Sequence, residues 1–338
     1  MSATRLVWLL CLFITVASGE LCGAERALIP GKWLSQGQDF SPNVPPCCSW
    51  DGQPASYDIT LPNGTYAKCR NFRKGSVWKG VAPGPQSNIL QASGGHGCSL
   101  DCSQRLEMLN KQQWRPDNCQ LDPWNATRFC ELLGNRSVLM IGDSTMEQTS
   151  AVLHNMINWG NGTCAPALQM ALSDTLVGLS GRVDRGSTWN EYVSRLDPRI
   201  IVISAGPHIH KKNSHKLVWS TVRDQFLSHF SGKMQLIWRT STGAGCSDEP
   251  LTSMPADTPG YWAKHNAYNY KAMEEADSAA FRFWSSVPNV TVMDLRPLWM
   301  RPDAAVGKGN CVHMCSPGVL QLFSIAFLNI LERWALED

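Results

Sequence analysis

VLMIGDSTMEQ, Val138 to Gln148, is an apolar run that stops at Gly142-Asp143-Ser144 and passes at once into a stretch of helical character. A short apolar run bounded by a turn reads as a strand covered on both faces. With a helix following directly, Ser144 stands on a strand-to-helix turn. Active-site groups in open α/β sheets gather at the carboxyl ends of strands. The unpaired N–H groups of the helix start can stabilise negative charge there. Ser144 is therefore a candidate nucleophile, with Asp143 beside it either bonding local backbone N–H groups or serving the chemistry. Gly-Asp-Ser also reads as a plain turn with a helix cap, so the choice depends on whether the chain supplies a base.

Outward from this block, short β-branched runs alternate with amphipathic stretches from Arg136 onward. Strands are expected at 137–141, 200–204, 234–239 and 290–295, and helices at 146–159, 217–230, 263–285 and 317–336. That alternation announces an α/β fold with a mainly parallel sheet. Ser316 and Pro317 read as the cap and first turn of the last helix, just beyond His313. Residues 20–135 differ: they are rich in cysteine, proline and glycine and read as loops stapled by disulfides against residues 136–338.

Residues 1–19 place Arg5 before an apolar run from Leu6 to Ala17, followed by small residues, which is the pattern of a signal peptide or an uncleaved anchor. No later run reads as a membrane span, so a membrane enters only if this segment is retained. Of 13 cysteines, only Cys11 lies in the leader. The even remainder suits disulfides in an oxidising compartment, with zinc as the competing reading. Sequons at Asn63, Asn125, Asn135, Asn161 and Asn289 agree with passage through the secretory pathway. Thirty Lys and Arg against 28 Asp and Glu leave a net charge of +2, which argues against nucleic acid as a partner. The 14 tryptophans read as core packing or as platforms for sugar faces.

A serine hydroxyl needs a base within reach. Among eight histidines, His313 stands between Cys311 and Cys315, where the surrounding chain can hold an imidazole in one orientation. His208, His210 and His215 could suggest a metal, but Lys211 and Lys212 beside them favour a solvated or substrate-facing loop, and no metal is expected.

Several blocks resemble the trichome-birefringence-like polysaccharide O-acetyltransferases of the PC-esterase group. Gly31-Lys32-Trp33 is similar to the opening segment of that family, and Gln113-Trp114-Arg115-Pro116 with Cys119 and Leu121 to its W-x-P-x-x-C-x-L stretch. The Gly-Asp-Ser block follows. Ile201 to Gly206 resembles a strand ending in glycine, Trp238-Arg239-Thr240 the F-R-T strand, and Leu298 to Pro302 with Asp303 the R-x-D-A segment. Asn310 to Gly318, NCVHMCSPG, resembles the terminal D-C-x-H-x-C-x-P-G block.

The resemblance implies an SGNH-like three-layer α/β/α fold and an O-acyltransferase, most simply an O-acetyltransferase. Ser144 would attack the acyl donor, an acetyl ester or acetyl-CoA, with no resident cofactor, and His313 would act as base and then acid. The acceptor would be a hydroxyl of a polysaccharide or glycan, in the Golgi lumen or outside the cell. Backbone N–H groups of Ser144 and Gly206 would hold the oxyanion, and Arg239 would orient a substrate oxygen or brace Asp143 or Asp303. Where the family carries aspartate, this chain carries Asn310. Its amide can orient the imidazole without a charge to stabilise the imidazolium. A slow enzyme, one borrowing Asp303 or Asp294, a secreted carbohydrate esterase and a non-catalytic glycan-binding relative all follow as alternatives.

Overall fold

The computed structural model describes Cys22, Leu28 and residues 30–35, 108–179, 187–209, 212–265, 269–307, 310–316 and 318–337, with the backbone of four strands between 58 and 91. The strands, in chain order, are β1 Gly31–Ser35, β2 Asp58–Thr60, β3 Tyr66–Arg70, β4 Trp78–Lys79, β5 Ile89–Gln91, β6 Gln112–Pro116, β7 Val138–Gly142, β8 Leu168–Leu172, β9 Ile200–Ile203, β10 Gln235–Arg239, β11 Val290–Met293, β12 Ala305–Gly307 and β13 Asn310–Met314. The helices are α1 Ala126–Leu133, α2 Ser144–Trp159, α3 Trp189–Leu196, α4 Lys212–His229, α5 Tyr261–Lys264, α6 Tyr270–Trp284 and α7 Gln321–Glu337. Residues 1–19, expected to be a signal segment, lie outside the described residues, as do Asn63, Cys47, Cys48, Cys98, Cys102, His210, Lys211 and Pro317.

The central sheet runs β11-β10-β9-β7-β8-β4, parallel except for β4 at its edge. Side chains of successive strand residues point to opposite faces, and the core divides accordingly. Val138, Met140, Ile200, Val202 and Ile237 enter one cluster with α1, α2 and α7. Leu139, Ile141, Ile201, Ile203, Leu236 and Trp238 enter another with α3, α4 and α6. The fold is thus a three-layer α/β/α sandwich around a mainly parallel sheet.

Because β8 and β9 lie on opposite sides of β7, the chain reverses its direction of winding there. That is the switch point of a doubly wound sheet, where the carboxyl ends of strands leave a crevice. Ser144 begins α2 directly after β7, so the decisive sequence block opens onto it.

The N-terminal region joins the same body. Cys22, Leu28 and Trp114 belong to the α1/α2/α7 core, and β4 extends the central sheet. Trp114 Nε1 donates to Leu28 O at 2.9 Å, Leu28 N donates to Asp294 Oδ2 at 3.0 Å, and Trp33 Nε1 donates to Pro297 O at 3.0 Å. Disulfides link Cys22–Cys119, Cys130–Cys164 and Cys246–Cys311, and Cys315 is also disulfide-bonded. Such bonds persist in oxidising compartments.

Several expectations change. His313 does not sit at a helix start; it lies in β13, paired with β12 in a hairpin, and a 3-10 turn at Gly318–Leu320 separates it from α7. Ser316 Oγ is buried without a partner among the described residues, and so caps none of the helices described. The long helix expected over 263–285 is two helices, α5 and α6, with Asn269 in the left-handed region at φ 56° just before α6. β8 was not anticipated because LQMAL lacks β-branched residues, and tertiary pairing overrides that weak propensity. Gly318–Glu337 is long and apolar enough to cross a membrane, contrary to the reading of the sequence, but two-thirds of its most apolar window is buried in the protein, at 67%.

Candidate functional site

Gly142 is where β7 meets α2, and no larger residue fits. A Cβ there would stand 2.9 Å from Met146 Cβ and 2.9 Å from Ser204 O. This close approach packs the helix start against the end of β9. Asp143 caps α2, its Oδ1 accepting from Thr145 N at 2.7 Å. The N–H of Ser144 is the first of the helix, among the donors that a helix leaves unpaired.

Ser144 and His313, 169 residues apart, meet: Ser144 Oγ lies 2.8 Å from His313 Nε2. His313 Nδ1 lies 2.6 Å from Asn310 Oδ1. An amide oxygen only accepts, so Nδ1 carries the proton. In the neutral ring, Nε2 then presents its lone pair to the serine hydroxyl. Ser144 and His313 are both buried, at 6% and 7% exposure, so this chain of bonds is largely shielded from water.

β13 is held in place from two sides. The Cys246–Cys311 disulfide ties it to the loop after β10. Gln148, one helical turn after Ser144, grips its backbone in both directions: Nε2 donates to Met314 O at 2.6 Å, and Oε1 accepts from Met314 N at 3.2 Å. Gln148 was not singled out from the sequence. Its i, i+4 spacing from Ser144, which puts both on one helix face, is the signal that would have found it.

Arg239 turns inward. It is 1% exposed and donates to Thr145 O and Oγ1, Thr149 Oγ1 and Ser204 Oγ, with Nε buried and unpartnered among the described residues. Burial pulls its pKa down to about 10, while the charges of Asp143 and Asp277 oppose that shift, so it stays cationic at neutral pH. Its observed contacts brace the first turns of α2 and the end of β9. They include no bond to Asp143 or Asp303.

Asp303 forms a bidentate pair with Arg301, at 2.8 and 2.7 Å. Asp294 is engaged in the same way by Arg296, at 2.8 and 2.9 Å, besides accepting from Leu28 N. Gly206 lies in the turn leaving β9, beside Ser241 and Met273. The histidine cluster divides: His208 Nε2 is 3.5 Å from Asp174 Oδ1, whereas His215 is buried near Trp219, with burial pushing its pKa down to about 4. Of the sequon asparagines within the described residues, Asn125, Asn135, Asn161 and Asn289 are all exposed. Six of the tryptophans, Trp114, Trp189, Trp219, Trp238, Trp284 and Trp299, are core residues.

No protein-family profile matches the chain, and no curated protein matches it. Among solved structures it is similar to the C-terminal catalytic domain of Streptococcus pneumoniae peptidoglycan O-acetyltransferase A with a methylsulfonyl adduct. The identity is 15% and the TM-score 0.36, over 60% of this chain and 93% of that one.

Proposed function

We propose that this protein is a serine-dependent O-acyltransferase, acting with acetyl groups on sugar hydroxyls of a polysaccharide or glycan in the Golgi lumen or outside the cell. The observation that carries the reading is the 2.8 Å approach of Ser144 Oγ to His313 Nε2, with Asn310 orienting the ring from behind. His313 takes the Ser144 proton as Oγ attacks the acyl carbon. The carbonyl oxygen becomes an oxyanion at the start of α2, where the Ser144 N–H and, on the far side of the crevice, Gly206 are the candidate donors. A single such donor is worth about 10²-fold or more in rate. Collapse breaks the bond to the leaving group, which departs with the proton from His313. An acceptor hydroxyl then gives its proton to His313, attacks the acyl-enzyme, and returns Ser144 to its starting form.

Water in place of the sugar hydroxyl makes the same site a carbohydrate esterase; exclusion of water separates the two. Asn310 favours a second reading, a glycan-binding relative with little turnover, since replacing aspartate by asparagine in a serine-protease triad lowers turnover about 10⁴-fold.

The test is burst release of nitrophenol from an aryl acetate by wild type, Ser144→Ala and His313→Ala, with and without an oligosaccharide acceptor. The enzyme reading expects a wild-type burst that both substitutions reduce by about 10³-fold or more, and acetyl transfer to the oligosaccharide in preference to water. Equal, negligible signals from all three proteins would select the binding protein.

A further inference from the structure

Opposite the crevice, at the amino ends of the strands, lies a cleft of about 750 Å³. Arg136 and Asn135 precede β7, Arg199 precedes β9, Lys233 lies just before β10, Asn289 precedes β11, and Trp334 of α7 forms part of the wall. A volume of this size accommodates a ligand as large as a short oligosaccharide. Two of the lining residues, Asn135 and Asn289, are sequon asparagines 154 positions apart that the fold brings to one opening. Asn125 and Asn161, also exposed sequon asparagines, do not line it.

We infer that N-linked glycans on Asn135 and Asn289 lie over this cleft, with a core sugar of one of them packed against the exposed part of the Trp334 indole. Both asparagines are exposed. Asn289 Nδ2 donates to Ser231 Oγ at 3.0 Å, a bond that survives modification because a glycosylated amide nitrogen keeps one hydrogen. At each site Nδ2 loses a proton and bonds to sugar C1 as the C1–oxygen bond to a lipid-diphosphate carrier breaks; the diphosphate leaves and the proton passes to solvent. The half-buried indole packs against the α1/α2/α7 core, with the Arg136 guanidinium 6.0 Å from its ring centroid, and the part left exposed is the apolar surface that a pyranose would contact. The glycans cover the amino edge of the sheet and leave the Ser144 crevice open, so the inference stands or falls independently of acyl transfer.

The full chain, secreted from a eukaryotic host, is mapped by glycopeptide mass spectrometry and treated in its native state with a peptide-N-glycosidase. Each site's release rate is normalised to its isolated glycopeptide. Occupancy at both Asn135 and Asn289 is expected, with native release about tenfold slower than at Asn125 or Asn161. Trp334→Phe and Trp334→Ala should progressively restore release at the two cleft sites alone. The slow release in wild type is read independently of whether either variant folds. An empty Asn135 or Asn289, or native release as fast as at the reference sites, would overturn the inference. So would a chain secreted without these glycans whose retention on polygalacturonate is abolished by Arg199→Ala and Lys233→Ala, which would assign the cleft to an acidic polymer.

Discussion

Ser144–His313–Asn310 and Ser241–Asp277–Trp299 are both buried, hydroxyl-containing networks near the carboxyl ends of neighbouring regions of one sheet, yet one ends in a neutral amide and the other centres on a carboxylate. Asp277 accepts from Ser241 N at 3.0 and 3.1 Å, from Ser241 Oγ, and from Trp299 Nε1 at 2.8 Å. Burial raises its pKa, with the Ser241 and Trp299 bonds pulling the other way. Glu274, one helical turn away, is pushed up to about 7 by burial and then by the Asp277 charge. A buried carboxylate persists only when donors surround it, and Asp277 has them. At His313 Nδ1 the partner is the neutral amide of Asn310, which costs little in the resting protein and, on the proposed mechanism, brings no charge of its own to an imidazolium. Two comparable positions thus carry opposite chemistry, a donor-ringed carboxylate at one and a neutral amide behind an imidazole at the other.

The sharpest way to break this contrast is to make the two networks alike. Asn310→Asp should raise aryl acetate turnover about 10²-fold, part of the loss that the reverse change causes in a serine-protease triad. An unchanged rate in single-turnover assays would show that the amide is no deficit. Asp277→Ala should strand the Ser241 and Trp299 donors in the interior and lower unfolding free energy by about 2 kcal/mol, read from the urea midpoint. A stability matching wild type would mean that the carboxylate is dispensable.

Smaller effects sharpen the picture. Gln148→Leu keeps the volume but releases the backbone of β13, so the acylation rate should fall about tenfold through misplacement of His313, with KM little changed. A rise in KM at constant kcat would instead place Gln148 in substrate binding. Glu274→Gln tests the pH response. The folded pKa of about 7 lies above the ordinary 4.5, so the native state holds the extra proton between those values. The stability from this group is full below pH 4.5 and is lost as pH rises through 7. The glutamine variant should therefore gain about 1 kcal/mol over wild type in alkaline buffer and nothing in mild acid, as measured by melting temperature.

Much of the sheet was legible from the chain alone. β7, β9, β10 and β11 are short runs dominated by Val, Ile, Leu, Met and Trp, broken only at Gly142, Gln235, Arg239 and Thr291, because strands covered on both faces favour apolar side chains. β8 escaped because Leu-Gln-Met-Ala-Leu carries no β-branched residue, and only its place beside β7 makes it a strand. At the site, Ser144 and His313 could be named from their local surroundings. The i, i+4 spacing of Gln148 from Ser144 marks its helix face but not the β13 backbone it grips, and the inward turn of Arg239 is defined only by the hydroxyls it reaches across the fold.

By itself the sequence determined that an apolar strand ends in a glycine, an N-capping aspartate and a serine, that a histidine sits in a cysteine-flanked segment, and that an asparagine precedes it by three positions. Only the tertiary structure decided that His313 rides a hairpin strand, that Ser144 and His313 come within 2.8 Å, and that Asp303 and Asp294 are engaged by arginines. Local preferences act over a few residues and are written in residue type, whereas the distance between two side chains 169 positions apart is set by how both faces of the sheet bury their apolar surface at once.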